Sequence, residues 1–233
     1  EEKKSKPQVR TPVVAVMGPV DHGKTSFLDA IRGSKVAEKE AGGITQNTRA
    51  HEVVLDNGFR ITFIDTPGHE AFSKMRERGA KVTDFVLLIV AADDGVQPQT
   101  KESIEFAHKD KVPLIVAINK IDIKGVNLQK IKTGLASYGV NIEEYGGDTL
   151  CFEISAKEKT GLKELLEGIE LLSEMNELKS RTVKEKTKGE AFILESSLDK
   201  RLGNVALCIL KAGNLKERYF GVTKDAIFKV RAY

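Results

Sequence analysis

Residues able to do chemistry come in short runs. Gly18 to Thr25 reads GPVDHGKT and fits G-x-x-x-x-G-K-[ST]. It follows the apolar run VVAVM and precedes KTSFLDAIRG, where Phe27, Leu28 and Ile31 share a helical face and Gly33 reads as a stop. A strand, a glycine-bearing turn and a helix start make a cradle for phosphate. Consecutive backbone N–H groups curl around the oxygens, and the helix N-terminus adds positive potential. Gly18 opens the loop, and Gly23 allows close backbone approach. Pro19 has no N–H to donate, so the cradle falls to later residues: Asp21, His22 and Gly23, then Thr25 and Ser26. Lys24 places a cation on the outer phosphates, and the Thr25 hydroxyl is a Mg²⁺ ligand. This run alone serves a GTPase, an ATPase or a small-molecule kinase.

Further runs separate these. INKID ends an apolar stretch and puts Asn119, Lys120 and Asp122 at the carboxyl edge of a strand. A carboxylate at Asp122 accepts two hydrogen bonds from guanine, at N1–H and the exocyclic amine. Adenine offers neither there and would leave the carboxylate unpaired, which discriminates strongly. Asn119 can reach the major-groove edge of the base or tie loops together, and the Lys120 stem can lie over the ring. The run SAK, Ser155 to Lys157, ends a later strand. There a backbone N–H, assigned to Ala156, can meet the guanine carbonyl oxygen. An ATP-using enzyme is disfavoured by Asp122.

These runs need elements that bring them to one edge. DFVLLIVAAD and VPLIVAINK are nearly continuous apolar runs, as in strands of a parallel sheet covered by helices on both faces, and TLCFEIS reads as another buried strand. HEVVLDNGFRITFID is two strands joined at Asn57-Gly58, so one antiparallel strand joins the sheet. Helical patterns lie between, one placing Ile104, Ala107 and His108 near one face, another carrying Leu162, Leu165, Leu166, Ile169 and Leu172. The order predicts an α/β, doubly wound, mostly parallel sheet over 12–178. Residues 1–11 read as a charged tail and 179–189 as a charged linker. Strand-like runs in 190–233 are too few to close a barrel or bury a face, so they predict the first strands of an incomplete β domain in a chain seen only in part.

The bulk properties exclude more than they assign. The chain has 233 residues, 40% of them hydrophobic, and a net charge of +3, too mild to imply nucleic acid by itself. No apolar run approaches the ~20 residues of a membrane span, and none opens the chain as a signal segment. The expectation is a soluble, intracellular protein. Cys151 and Cys208 both sit in strand-like runs and are expected as buried small hydrophobes. The four histidines lack metal-ligand spacing.

Taken in order, the phosphate loop, NKID and SAK resemble the P-loop GTPase superfamily. VDHGKTS, AGGIT, DTPGH and TDFVLLIVAADDGVQPQT narrow the resemblance to translational GTPases. AGGITQ, DTPGHEAFSKMRERGA and ESSLDKRLG are similar to the bacterial-type translation initiation factor 2 group, from about Pro12 to the last residue. Pro19 stands where that family usually has histidine, and QNTRAH replaces a Gln-His-Ile-Gly-like stretch. The resemblance implies that Asp65 holds Mg²⁺ through a water, that Gly68 N–H contacts the γ-phosphate, and that Thr45 closes over Mg²⁺. It implies that His69 acts on the attacking water, as a base or a charged positioner, with Val20 and Ile44 as an apolar gate. Arg76 and Arg78 read as a solvated helix face rather than an arginine finger.

The implied activity is GTP hydrolysis stimulated by the ribosome during initiation, with Mg²⁺ and GTP or GDP bound. A nucleotide-binding, ribosome-docking module with little chemistry of its own is the alternative. Implied partners are ribosomal RNA and proteins, with initiator tRNA held by domains outside this chain. A cytoplasmic or organellar-matrix monomer is expected, away from membranes. The basic linker can touch RNA phosphates, although a solvated hinge is its plainer reading.

Overall fold

The computed structural model describes residues 10–32, 49–65, 83–178, 189–201, 203–213 and 215–231. These residues fall in two compact units, one within Val9–Leu178 and one within Lys179–Tyr233.

In the first unit, apolar runs too short for helices become strands. They are β1 (Val13–Met17), β2 (Arg49–Val54), β3 (Arg60–Asp65), β4 (Phe85–Ala91), β5 (Leu114–Asn119) and β6 (Leu150–Glu153). They form a six-stranded sheet in the order β2-β3-β1-β4-β5-β6. β1 pairs parallel with β3 and β4, β4 with β5, and β5 with β6, while β2 is antiparallel to β3. The helices are α1 (Lys24–Arg32), α2 (Pro98–Asp110), α3 (Leu128–Ala136) and α4 (Leu162–Met175). Alternate strand residues feed two cores, because successive side chains point to opposite faces. Val14, Val16, Leu87 and Ile115 pack with Phe27 and Leu28 of α1 and Leu165 and Ile169 of α4. Leu88, Val90, Val116 and Ile118 pack with Ile104 of α2 and Ile131 and Leu135 of α3. Helices therefore cover both faces, which is the doubly wound arrangement. The Phe27 ring meets Phe63 edge-on, centroids 5.8 Å apart, worth about 0.5–1.5 kcal/mol beyond area burial.

Some details differ from the sequence expectations. Arg10 does not hang in a tail. Its N–H donates to Leu178 O at 2.9 Å and its guanidinium clasps Asp84 with both nitrogens. The hairpin is a three-residue connection: Leu55 and Phe59 still pair, and Gly58, not Asn57, takes positive φ. β6 is the sheet edge and is only half-buried, since among the described residues no further strand covers its outer side. Ile104 and Ala107 are buried but His108 is exposed, and Phe106 takes the inward position instead.

The second unit holds β7 (Gly189–Asp199) paired antiparallel with β8 (Gly203–Gly213), and β9 (Phe220–Val222) with β10 (Ile227–Lys229). β7 starts at Gly189, the last residue assigned to the linker. Leu198, Phe220, Val222 and Ile227 are exposed on these strands. Cys208 is exposed too, on the solvent side of β8, and Cys151 is half-buried, so neither is the fully buried hydrophobe expected.

Candidate functional site

The parallel strands β1, β4 and β5 send their carboxyl ends to one edge of the sheet, where open α/β folds bind ligands. β1 runs into the loop 18–23. Gly18 has φ +138°, and a Cβ there would stand 2.3 Å from Ile89 O of β4. A Cβ on Gly23, φ +87°, would stand 2.3 Å from Asn119 Nδ2. Both places therefore require glycine. Asp21 also takes positive φ, +64°. The loop ends as Gly23 O accepts from Phe27 N at 2.8 Å in the first turn of α1.

Lys24 folds back over this loop. Its Nζ donates to Gly18 O at 2.8 Å and Pro19 O at 2.6 Å. Burial lowers the pKa of its ammonium, against the pull of Asp65 and Asp21. Asp65, at the end of β3, is itself buried. Thr25 is half-buried, while Ser26 and Val20 are exposed.

The loop fits a phosphate chain. Its glycines let the backbone approach Ile89 O and Asn119 closely, and a desolvated cation sits on exchangeable carbonyl oxygens. The Thr25 hydroxyl and Asp65 carboxylate are hard oxygen donors of the kind Mg²⁺ takes.

The His22 side chain turns inward. The residue is 1% exposed, and its Nδ1 accepts from Ala91 N at 3.0 Å. The ring proton is thus on Nε2, which faces Asp94 Oδ2 at 3.6 Å. Burial lowers the pKa of this imidazole and leaves it neutral near pH 7. Only the backbone of His22 is left for the loop's concave side.

Asn119 takes the second of the roles open to it and ties loops together. Its Nδ2 donates to His22 O at 3.0 Å, and its Oδ1 accepts from Ala156 N at 3.0 Å. The Ala156 N–H, expected to meet a base carbonyl, is thus already given to Asn119. Lys120 follows with φ +65° and its Nζ 3.2 Å from Asp93 Oδ2. Asp122 Oδ1 accepts from Ser155 Oγ at 2.6 Å, and Ser155 Oγ accepts from Glu158 N at 3.0 Å. The Ser155 bond, more than the lysines Lys157 and Lys120, holds the Asp122 carboxyl below its usual range. The Lys157 ammonium lies 3.9 Å from Asp122 Oδ2.

The structure therefore brings together the loop 18–24, Asn119, Lys120, Asp122, Ser155, Ala156 and Lys157. Ile44, Thr45, Gly68 and His69 lie outside the described residues, as do Gly33, Arg76 and Arg78. The sequence reading missed Asp93 and Asp94. Their signal was two adjacent carboxylates directly behind the all-apolar strand β4.

A family model of the elongation factor Tu GTP binding domain matches residues 9–175. Translation initiation factor IF-2 of Clostridium botulinum (strain Langeland, Type F) is 55% identical over 208 residues, covering 89% of this chain and 30% of that protein. The factor of the same name from strain Eklund 17B is 53% identical over 206 residues, covering 88% of this chain and 29% of its own length. The chain thus spans about a third of the length of the curated relatives it matches. Among solved structures, the crystal structure of GDP-bound aIF5B from Aeropyrum pernix superposes with a TM-score of 0.74 at 29% identity, over 91% of this chain and 44% of that one. A bacterial selenocysteine-specific elongation factor, EF-Sec, superposes with a TM-score of 0.69 at 23% identity, over 95% and 38%, and shares the fold.

Proposed function

Because this chain belongs to the elongation factor Tu GTP binding domain family, we propose that it is the guanine-nucleotide switch of a translation initiation factor. It binds GTP or GDP with Mg²⁺ and hydrolyses GTP when the ribosome stimulates it. The single observation that carries the nucleotide reading is Asn119, one side chain bonded to both the His22 carbonyl and the Ala156 N–H. It joins a phosphate loop to a base loop whose carboxylate, Asp122, is already fixed by Ser155. The initiation reading is supported by the relatives named translation initiation factor IF-2.

Phosphoryl transfer asks the protein for positioning and charge stabilisation. N–H groups of Gly18 and Asp21 to Ser26 cradle the phosphates. The Lys24 ammonium exchanges the Gly18 and Pro19 carbonyls for phosphate oxygens. Thr25 and Thr45, with Asp65 through a water, would hold Mg²⁺, and the metal would neutralise charge on the outer phosphates. Gly68 N–H contacts the γ-phosphate. His69 orients the attacking water, and Val20 and Ile44 keep it away until the ribosome docks. Asp122 pairs with the guanine N1–H and amine, Lys120 covers the ring, and the Ser155–Lys157 loop backs the base.

In this reading, residues 12–178 are the GTP-binding domain, 179–189 link it onward, and 190–233 begin a β-barrel domain. The whole protein acts in the cytoplasm as a monomer, contacts ribosomal RNA and protein, and promotes initiator tRNA binding and subunit joining. The tRNA contact lies in parts of the whole protein beyond this chain. Among the described residues, no helix is long and apolar enough to cross a membrane.

His69→Ala tests the reaction. Nucleotide affinity should stay within about twofold, while ribosome-stimulated turnover falls by about 10²- to 10⁴-fold. Unchanged stimulated turnover removes His69 from the mechanism. Turnover that ribosomes do not raise in the unaltered chain favours a docking module instead.

A further inference from the structure

The turn that follows β4, Ala91 to Asp94, touches both halves of the site. Ala91 N–H donates to His22 Nδ1 at 3.0 Å, on the phosphate loop. Ala92 N–H donates to Asn119 O at 2.8 Å, on the base loop. Asp93 Oδ2 accepts from Lys120 Nζ at 3.2 Å, and Asp94 Oδ2 stands 3.6 Å from His22 Nε2. The Gly95 N–H, donated to Ala91 O at 2.8 Å, closes the turn on itself. The turn thus engages both loops, the base loop through Asp93 and the phosphate loop through the Ala91 N–H.

We propose that this turn is a positioning element for bound guanine nucleotide: Asp93 holds Lys120 in place and the Ala91 N–H holds the His22 ring, so that the turn sets how long the nucleotide stays. The inference rests on the nucleotide reading of the site given above. The Lys120 backbone sits at φ +65°, a costly region for a residue other than glycine or asparagine, which the surrounding fold holds in place. A flexible lysine free of a partner would also have to give up rotamer freedom on each binding event. With Nζ bonded to Asp93, part of that freedom is already given up when the base arrives. His22 carries the same logic to the phosphates. Its ring is fixed to the end of β4 while its carbonyl is bonded to Asn119, so the loop's path is tied to the base loop through β4 and β5. None of these groups touches the reacting atoms. They act through Lys120 and the loop backbone, which makes them positioning residues.

The test measures release of a fluorescent GDP from the whole chain. Asp93→Asn keeps the shape and removes the charge. Release should speed up about three- to fivefold, the reach of an exposed ion pair, and equally for GDP and GTP. Asp93→Glu should restore most of the slow release. The melting temperature without nucleotide should not move, because Asp93 is a surface group. In a Lys120→Met background, Asp93→Asn should add nothing, since its partner is already gone. His22→Gln should speed release by about tenfold or more, as a buried N–H is left with a poorer acceptor. If the unaltered chain holds GDP and Asp93→Asn releases it at the same rate, the inference is overturned. An Asp93 effect that persists undiminished with Lys120→Met also overturns it. An unaltered chain that binds no guanine nucleotide overturns the reading of the site and this inference with it.

Discussion

Asp122 and Lys24 are the charged ends of the site, and they are held in opposite ways. The Asp122 carboxylate has a partner it can keep. Ser155 Oγ bonds to one oxygen from the side, and Ser155 is fixed in turn by Glu158 N–H. Lone pairs remain for a base. Lys24 has partners it must leave. Its ammonium is satisfied by Gly18 O and Pro19 O, which are weaker partners than a phosphate oxygen. In the proposed reading, the base half is thus fixed by its own hydrogen bonds before any nucleotide arrives, while the phosphate half completes itself by exchange. Selectivity in such a site comes from the preset half, because an ill-fitting base meets groups that cannot relax. Affinity for the phosphates comes from the exchanging half.

The largest expected effect attacks the preset half. Asp122→Asn turns an acceptor pair into an acceptor and a donor, which suits the carbonyl that xanthine carries where guanine has its amine. Preference for GDP over XDP should swing by about 10⁴ or more, read by competition against a labelled nucleotide. Retained guanine preference would mean that Asp122 does not read the base. Lys24→Met comes next and attacks the other half. Losing a charge-assisted contact, about 1.5–3 kcal/mol, should weaken GDP and XDP alike by about 10- to 100-fold without changing their ratio. The nucleotide-free protein should melt no lower, because a desolvated ammonium is removed. A change in base preference with Lys24→Met would erase the division of labour.

The same division shows in what the sequence could reveal. Gly18, Gly23, Lys24 and Asp122 were legible because each is fixed by local chemistry: a backbone approach, a charge, a carboxylate at a strand end. The sheet was legible for the same reason, as β4 and β5 are too apolar to be anything but doubly covered. What could not be read was the assignment of partners. Asn119 had two open roles, and only the distances to His22 O and Ala156 N choose between them. Nothing local says that the His22 ring turns under β4, because its acceptor role depends on Ala91, 69 positions away. Arg10 misled in the same manner, reading as tail because its partner Asp84 is 74 positions away. The hairpin missed by one residue, since Asn57-Gly58 permits both a two-residue and a three-residue connection and strand register decides.

The pH dependence of His22 makes the finest cut between the halves, since the residue belongs to both. Burial holds its imidazole below the ordinary 6.5. Above pH 6.5 the ring is neutral in folded and unfolded chains, and it contributes no pH dependence. Below 6.5 the unfolded chain takes up a proton that the folded chain refuses, so the unfolded state binds more protons and stability falls with pH. The loss continues until the lowered folded-state pKa is reached, with a slope no steeper than about 1.4 kcal/mol per pH unit. Urea midpoints at pH 7.5 and 5.5 should show this fall, and His22→Gln should flatten it. Protonation at Nδ1 also removes the acceptor of the Ala91 N–H, while Asp122 and Ser155 are untouched. GDP release should therefore quicken once the pH falls below the lowered folded-state pKa, while the GDP-to-XDP preference stays constant. Should the preference drift together with the release rate, the base loop depends on the phosphate loop for its shape, and its geometry is not preset.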